Sequence, residues 1–168
     1  RRCTFPTDTA GITDTDTIDS ATFNYTHDTG ANDSANIRGQ LVSLTATTQP
    51  PITADWDLCG NTSLGTTTAY GSLDAKALKT ITINATGLLD ITKTGTTWYC
   101  IREGEKEFDN VAPANGTNVN GKIFMSESTG TADDPYLSIV TSAGATGTSK
   151  VMILGMQPIL QAFAYSGF

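Results

Sequence analysis

Four acidic residues in one polar stretch are the side chains whose types and spacing best suggest catalysis. Glu103, Glu105, Glu107 and Asp109 stand at every second position, and a pair of carboxyl groups is what glycoside hydrolysis requires. The same spacing fits a solvent-exposed rim, and no neighbouring residue type indicates that one of these carboxyl groups has a raised pKa. We therefore expect a solvated rim and assign no catalytic residue.

His27 is the only histidine of the chain. No serine or cysteine nucleophile stands near it in a recognisable nucleophile elbow, so the sequence does not support a catalytic triad. We expect His27 to be an ordinary histidine at the end of a strand. Taken with the acidic stretch, this predicts a protein that is not an enzyme.

Pairs of aspartates in three loops supply the kind of oxygen ligands that calcium prefers. The pairs are Asp14 and Asp16, Asp55 and Asp57, and Asp133 and Asp134. None matches an EF-hand loop, and turn formation is the simpler explanation for all of them. Calcium is the one cofactor that we keep open, with Asp14 and Asp16 as its candidate ligands.

Aromatic residues in loops are candidates for stacking on sugar rings. Trp56 and Tyr70 fall in predicted loops and are the candidate glycan-binding residues, whereas we expect Trp98 in the core. The chain also has five N-x-S/T sequons, beginning at Asn24, Asn32, Asn61, Asn84 and Asn115. Asn32, Asn61 and Asn115 lie in predicted loops and are the accessible candidates for glycosylation in a host that glycosylates.

Composition limits the class of protein that can carry these residues. A chain of 168 residues fits one domain with an appendage, and its net charge of -7 comes without the clustered Lys and Arg that phosphate binding needs. No apolar run reaches the roughly eighteen residues of a membrane span. We therefore expect neither nucleic acid as a partner nor membrane insertion. The many threonines favour an all-β protein, because β-branched side chains suit strands.

The three cysteines, Cys3, Cys59 and Cys100, are widely spaced and form no metal-ligand pattern. An odd number implies at least one free thiol or an intermolecular bond. We expect buried, unpaired cysteines.

Alternation of apolar and polar residues predicts the strands. The central run is 98–102, in which Trp98, Cys100 and Arg102 share one face and Tyr99 and Ile101 share the other. A strand that Pro6 closes is predicted at 1–5. The other predicted elements are strands at 18–26, 37–47, 79–84, 122–125 and 135–140, and helical turns at 53–58 and 85–91.

The end of the chain differs in composition from the rest. We predict a domain at 1–141, a Gly/Ala/Ser/Thr linker at 142–150 and an apolar assembly segment at 151–168. An apolar segment of this kind must be buried somewhere, which predicts that it mediates assembly. Its candidate assembly residues are Val151, Ile153, Leu154, Met156, Ile159, Leu160, Phe163, Tyr165 and Phe168.

The opening residues 1–12 (RRCTFPTDTAGI) and 16–23 (DTIDSATF) resemble the segment R-G-x-L-x-F-D-T-S-x-I and A-x-I-x-S-A-x-L near the start of DNRLRE-type domains. Further short matches lie at 88–91, 95, 101–103, 124, 126–127 and 134–139. The resemblance implies a jelly-roll β-sandwich similar to carbohydrate-binding modules, as in secreted surface proteins and phage structural proteins. The first strand of that family has no counterpart before Arg1, so we expect a processed or incomplete chain start.

A missing strand and an apolar tail together suggest assembly by strand addition. The favoured function is therefore a non-enzymatic structural surface protein, either a virion module (phage capsid decoration or tail fibre) or the subunit of an extracellular filament. Its partners would be copies of itself or other virion or filament subunits. The alternative is a glycan-binding module that attaches to cell-surface glycans, and a hydrolase is the third hypothesis. The expected location is extracellular or on a virion surface.

Overall fold

The computed structural model describes residues 2–27, 31–32, 38–45, 58–67, 76–109, 119–120, 123, 132–144 and 149–155. These residues are mostly β-structure. The strands are β1 (Arg2–Asp8), β2 (Thr17–His27), β3 (Ala31–Asn32), β4 (Gly39–Ser43), β5 (Gly65–Thr66), β6 (Ala77–Thr82), β7 (Thr96–Glu103), β8 (Val119–Asn120), β9 (Tyr136–Ser142) and β10 (Ser149–Gly155). A short helix, α1 (Ala85–Leu89), and a π-helical turn, Gly104–Phe108, complete them.

Two four-stranded sheets form the body of the protein. The first has the strand order β1-β7-β4-β5 and the second the order β10-β9-β2-β6, while β3 and β8 form a separate pair. Every one of these pairings is antiparallel. The edge strands β1 and β10 lie at the same side of the molecule. The prediction of an all-β, sandwich-like architecture is confirmed at this level.

The main core lies between the two sheets, because the inward residues of both contribute to one apolar cluster. Phe23 of β2 is at its centre: its ring meets Phe5 of β1 edge to face at 5.1 Å and Tyr99 of β7 at 6.0 Å. Tyr99 and Ile101 point into this core, as the alternation along 98–102 predicts. The period-two pattern therefore assigns the buried face of β7 correctly.

A second, smaller cluster covers the opposite face of the first sheet. It consists of Val42, Leu44, Cys59 and Cys100, with Trp98 half-buried against them. Cys59 and Cys100 form a disulfide, with their Cα atoms 6.0 Å apart. The expectation of unpaired cysteines is therefore wrong for these two, whereas Cys3 takes no part in a disulfide. Their separation of 41 residues gave no local signal of pairing.

β1 continues through Pro6, so the prediction that Pro6 closes this strand is wrong. Pro6 lies opposite Trp98 in a register that runs from Arg2 to Asp8. β1 is an edge strand and pairs only with β7 within the described residues. Proline lacks the N–H group that a central strand would need, and an edge position makes that loss tolerable.

The greatest departure from the predicted organisation is β10. The composition predicts a linker and a separate apolar segment for residues 149–155, but they pair with β9 along all seven residues. The half-buried side chains of Met152 and Leu154 pack against the main core and tie the strand to the second sheet. The body of the protein therefore extends beyond residue 141, as far as Gly155. Residues 156–168 lie outside the described residues.

The remaining predicted strands at 18–26, 37–47, 79–84 and 135–140 correspond to β2, β4, β6 and β9. The turn at 85–91 is α1, which Asn84 caps by accepting a hydrogen bond from the Gly87 N–H at 3.0 Å. Of the strand predicted at 122–125, only Ile123 is described, and it forms a bridge with His27. The turn predicted at 53–58 falls outside the described residues except for Leu58.

Candidate functional site

The exposed face of β10 is the surface that stands out in the described part of the chain. Val151 is 66% exposed and Ile153 is 70% exposed. The two side chains are two residues apart on one strand, so they lie on the same face and form one apolar patch. The other exposed large apolar residues that are described, Leu58, Leu78 and Leu89, belong to separate elements, and scattered residues of this kind are normal on a protein surface.

The inner face of β10 holds the strand in place. Met152 and Leu154 are half-buried. The Met152 Cε atom reaches Gly11 and lies 3.4 Å from the position that a Cβ atom on this glycine would occupy. Within the described residues, β10 pairs with β9 on one side only. In the described part of the chain, this unpaired edge carries backbone N–H and C=O groups beside an apolar face, which is the chemistry that strand addition uses.

The structure places three of the nine candidate assembly residues, and all three are on β10. Val151 and Ile153 face outward, and Leu154 faces the core. The other six, Met156, Ile159, Leu160, Phe163, Tyr165 and Phe168, lie outside the described residues.

The acidic stretch folds back on itself in the π-helical turn after β7. Glu103 accepts hydrogen bonds from the backbone N–H groups of Glu105 at 2.7 Å and Glu107 at 3.3 Å. Asp109 forms an ion pair with Arg38. These carboxylates therefore stabilise the turn and attach it to neighbouring segments, which differs from the freely solvated rim that the spacing suggested.

Glu107 lies between two arginines and is only partly exposed. Its Oε1 atom accepts a hydrogen bond from Arg2 Nε at 2.5 Å and lies 3.4 Å from Arg102 Nε. Burial by itself raises the pKa of Glu107, but the hydrogen bond from Arg2 and the charges of both arginines outweigh it, so the pKa lies below its ordinary value. A general acid in glycoside hydrolysis needs a raised pKa. Glu107 has the opposite property.

Arg102 links this turn to the segment that contains the disulfide. Its Nη1 atom donates to Gly60 O at 3.0 Å and to Asn61 Oδ1 at 2.6 Å, and its guanidinium lies 5.5 Å from the centre of the Phe108 ring. The sequence placed Arg102 on the correct face of β7 but gave no indication of these contacts. Their partners are distant in sequence, and only the fold brings them together.

The proposed calcium ligands Asp14 and Asp16 lie in a loop that Lys93 already contacts. The Lys93 ammonium donates to the backbone carbonyl of Asp14 at 3.1 Å and also to that of Asp16. Among the described residues, no group of three or more His, Cys, Asp or Glu side chains is arranged to hold a metal ion. The observed cation at these two carbonyl groups is therefore a side chain of the protein itself.

His27 is the last residue of β2 and is 3% exposed, in agreement with the predicted strand-end position. Its Nδ1 atom lies 3.2 Å from the backbone oxygen of Ala77 on the neighbouring strand. The Tyr99 hydroxyl is also buried: desolvation, followed by the charge of Asp90, raises its pKa far above the ordinary value. Both side chains belong to the interior of the fold.

The candidate glycan-binding residues Trp56 and Tyr70 and the sequon at Asn115 lie outside the described residues. Asn32 is described through its backbone, as part of β3. Asn61 is exposed, and Arg102 binds its Oδ1 atom. Asn61 is thus the accessible sequon that the described structure contains among the three candidates.

No family model matches the chain, and no curated protein or solved structure matches it either. The resemblance to DNRLRE-type domains therefore stays an expectation. In the described part of the chain, no helix is long and apolar enough to cross a membrane.

Proposed function

We propose that this chain is a non-enzymatic structural surface protein, a virion module or extracellular filament subunit, that assembles through β10. The fold proposed for it is the jelly-roll form of the two-sheet architecture. The observation that carries the proposal is the exposed apolar patch of Val151 and Ile153 on an edge strand. Soluble proteins usually protect such edges with charges, proline or a bulge, because an apolar edge pairs readily with another chain.

The contrast between the two edges on this side of the molecule supports the proposal. β1 carries Pro6 and the charged Arg2, both of which discourage pairing with another chain. β10 has one charged residue, Lys150, at its beginning and no proline. Of these two neighbouring edges, β10 is the one whose composition allows strand addition.

The disulfide supports the proposed extracellular or virion-surface location. Cys59 and Cys100 are both buried, at 5% and 0% exposure, and their bond closes a long segment of chain. Disulfides persist mainly in oxidising environments and are rare in reducing cytosol. A structural role outside the cell is consistent with that requirement.

Light scattering coupled to size-exclusion chromatography tests the proposal over a range of protein concentrations. We expect wild type to assemble and Ile153→Lys to be monomeric, because a lysine on an edge strand disfavours pairing. Leu89→Lys is the matched control: Leu89 is 89% exposed on α1, and this variant should assemble like wild type. Both substitutions are at exposed positions and should change the free energy of unfolding by less than about 0.5 kcal/mol.

A wild-type protein that stays monomeric at all concentrations would overturn the proposal. So would an Ile153→Lys variant that assembles as wild type does, because the contact would then lie elsewhere.

A further inference from the structure

We propose that β10 pairs antiparallel with β10 of a second copy, about a two-fold axis beside Met152. Each copy contributes the four-stranded sheet that ends in β10, and the two sheets would then join into one continuous sheet across the pair. This inference rests on the proposed assembly function and specifies its partner, its strand and its register.

The geometry of a self-paired antiparallel strand limits the choice of register. Opposite residues in an antiparallel pair point to the same face of the sheet. A two-fold axis that relates neighbouring antiparallel strands is perpendicular to the sheet and keeps each side chain on its own face. One residue must therefore lie opposite its own copy, and the register is defined by naming that residue.

Met152 is the central residue of β10, which runs for seven residues from Ser149 to Gly155. An axis beside Met152 pairs all seven residues, whereas an axis beside Val151 or Ile153 shifts the copies by two residues and leaves five of the seven paired. In those registers, some backbone N–H and C=O groups of the edge find no hydrogen-bond partner in the interface. The central register therefore satisfies the most backbone groups.

The side chains favour the same register. With the axis beside Met152, Val151 lies opposite Ile153 of the second copy, and the reverse pair follows by symmetry. The two most exposed apolar residues of β10 thus contact each other across the interface, which removes part of each patch from water. An axis beside Val151 would instead place Ile153 opposite Ser149, and an axis beside Ile153 would place Val151 opposite Gly155.

The charge on β10 also fits this arrangement. Lys150 is exposed and is the only charged residue of the strand. In the central register Lys150 lies opposite Leu154 of the second copy. The two Lys150 residues are therefore separated by four residues, roughly 13 Å, along the strands. Like charges directly opposite each other would destabilise the pair, and this register avoids that contact.

Two-fold pairing of β10 closes on itself and yields a dimer. A longer filament or a virion lattice built from this protein would then add a second, different contact between dimers.

Cysteine crosslinking of the full chain tests the register. In a Cys3→Ser background, Met152→Cys adds one thiol per chain and places it beside its own copy, and mild oxidation or a short bis-maleimide should give a covalent dimer. Lys150→Cys alone is the control, since its thiols would be far beyond the roughly 7 Å Cα separation that a disulfide spans. A mixture of the Val151→Cys and Ile153→Cys proteins should crosslink, because these exposed positions face each other in this register.

The mixed experiment also keeps the test valid if replacing the half-buried Met152 disturbs the fold, because Val151 and Ile153 are both exposed. Circular dichroism of each variant checks that the fold is retained. Crosslinking of Met152→Cys or of the mixed pair, with little from Lys150→Cys alone, supports the pairing. An assembled protein that gives neither crosslink, or equal crosslinking from Lys150→Cys alone, overturns this register and leaves the proposed function standing. A strictly monomeric wild type overturns both.

Discussion

Reduction of the Cys59–Cys100 disulfide should lower the stability of the protein markedly. The bond joins residues that are 41 positions apart, and closing a loop of that length removes about 13 cal/mol/K of entropy from the unfolded chain in the chain-entropy model. At 25 °C this is about 4 kcal/mol. For a chain of this length, each kcal/mol corresponds to about 2–4 °C in Tm, so reduction should lower Tm by about 8–16 °C.

Thermal unfolding followed by circular dichroism, with and without reductant, measures this change. The Cys3→Ser variant is the control and should lose the same amount, because Cys3 takes no part in the bond. Thiol titration of the denatured, unreduced protein should find one free thiol per chain, since two of the three cysteines are paired. Three free thiols, or a Tm that does not respond to reductant, would refute the reasoning.

Two further predictions concern side chains near Arg102. Glu107→Gln should lower the free energy of unfolding by about 1–2 kcal/mol at neutral pH, because it removes a charged hydrogen-bond acceptor. The pKa of Glu107 is lower in the folded than in the unfolded state, so its contribution is complete above the ordinary pKa of 4.5 and disappears as pH falls through the lower folded value. Urea midpoints of wild type and variant should therefore converge in acid, and a constant difference would contradict this account. In a glycosylating host, mass spectrometry should find sugar at the exposed Asn61 and none at Asn24, which is 5% exposed in β2; an occupied Asn24 would show that this face of β2 is accessible.

The β-structure could be predicted from the sequence because its signal is local. Alternation in β7 identifies which residues point inward, and the core confirms this for Tyr99 and Ile101. The cap at Asn84 is similarly encoded within a few residues. The prediction at Pro6 was wrong because proline stops only those strands that need its N–H group. The local sequence does not show whether a strand lies at the edge or in the centre of a sheet.

Contacts between distant segments could not be predicted in this way. The arginine partners of Glu107 come from β1 and β7, and Arg2 is 105 residues away from it in sequence. The disulfide has the same character, since wide spacing and an odd cysteine count gave no means of choosing a pair. β10 was missed for a different reason: four consecutive apolar residues, 151–154, hide the alternation that marks a half-buried strand.

The polar groups that looked most suited to chemistry are used within the described structure to connect its parts. Glu103 and Glu107 stabilise the π-helical turn and attach it to β1 and β7, and Lys93 joins its own loop to the loop at Asp14. A carboxylate held by arginines with a lowered pKa is suited to an ion pair and poorly suited to proton donation. The apolar outer face of β10 has no such role inside the described molecule, because Met152 and Leu154 already attach that strand to the core. We propose that an exposed apolar face that the described part of the fold does not use serves a contact with another chain.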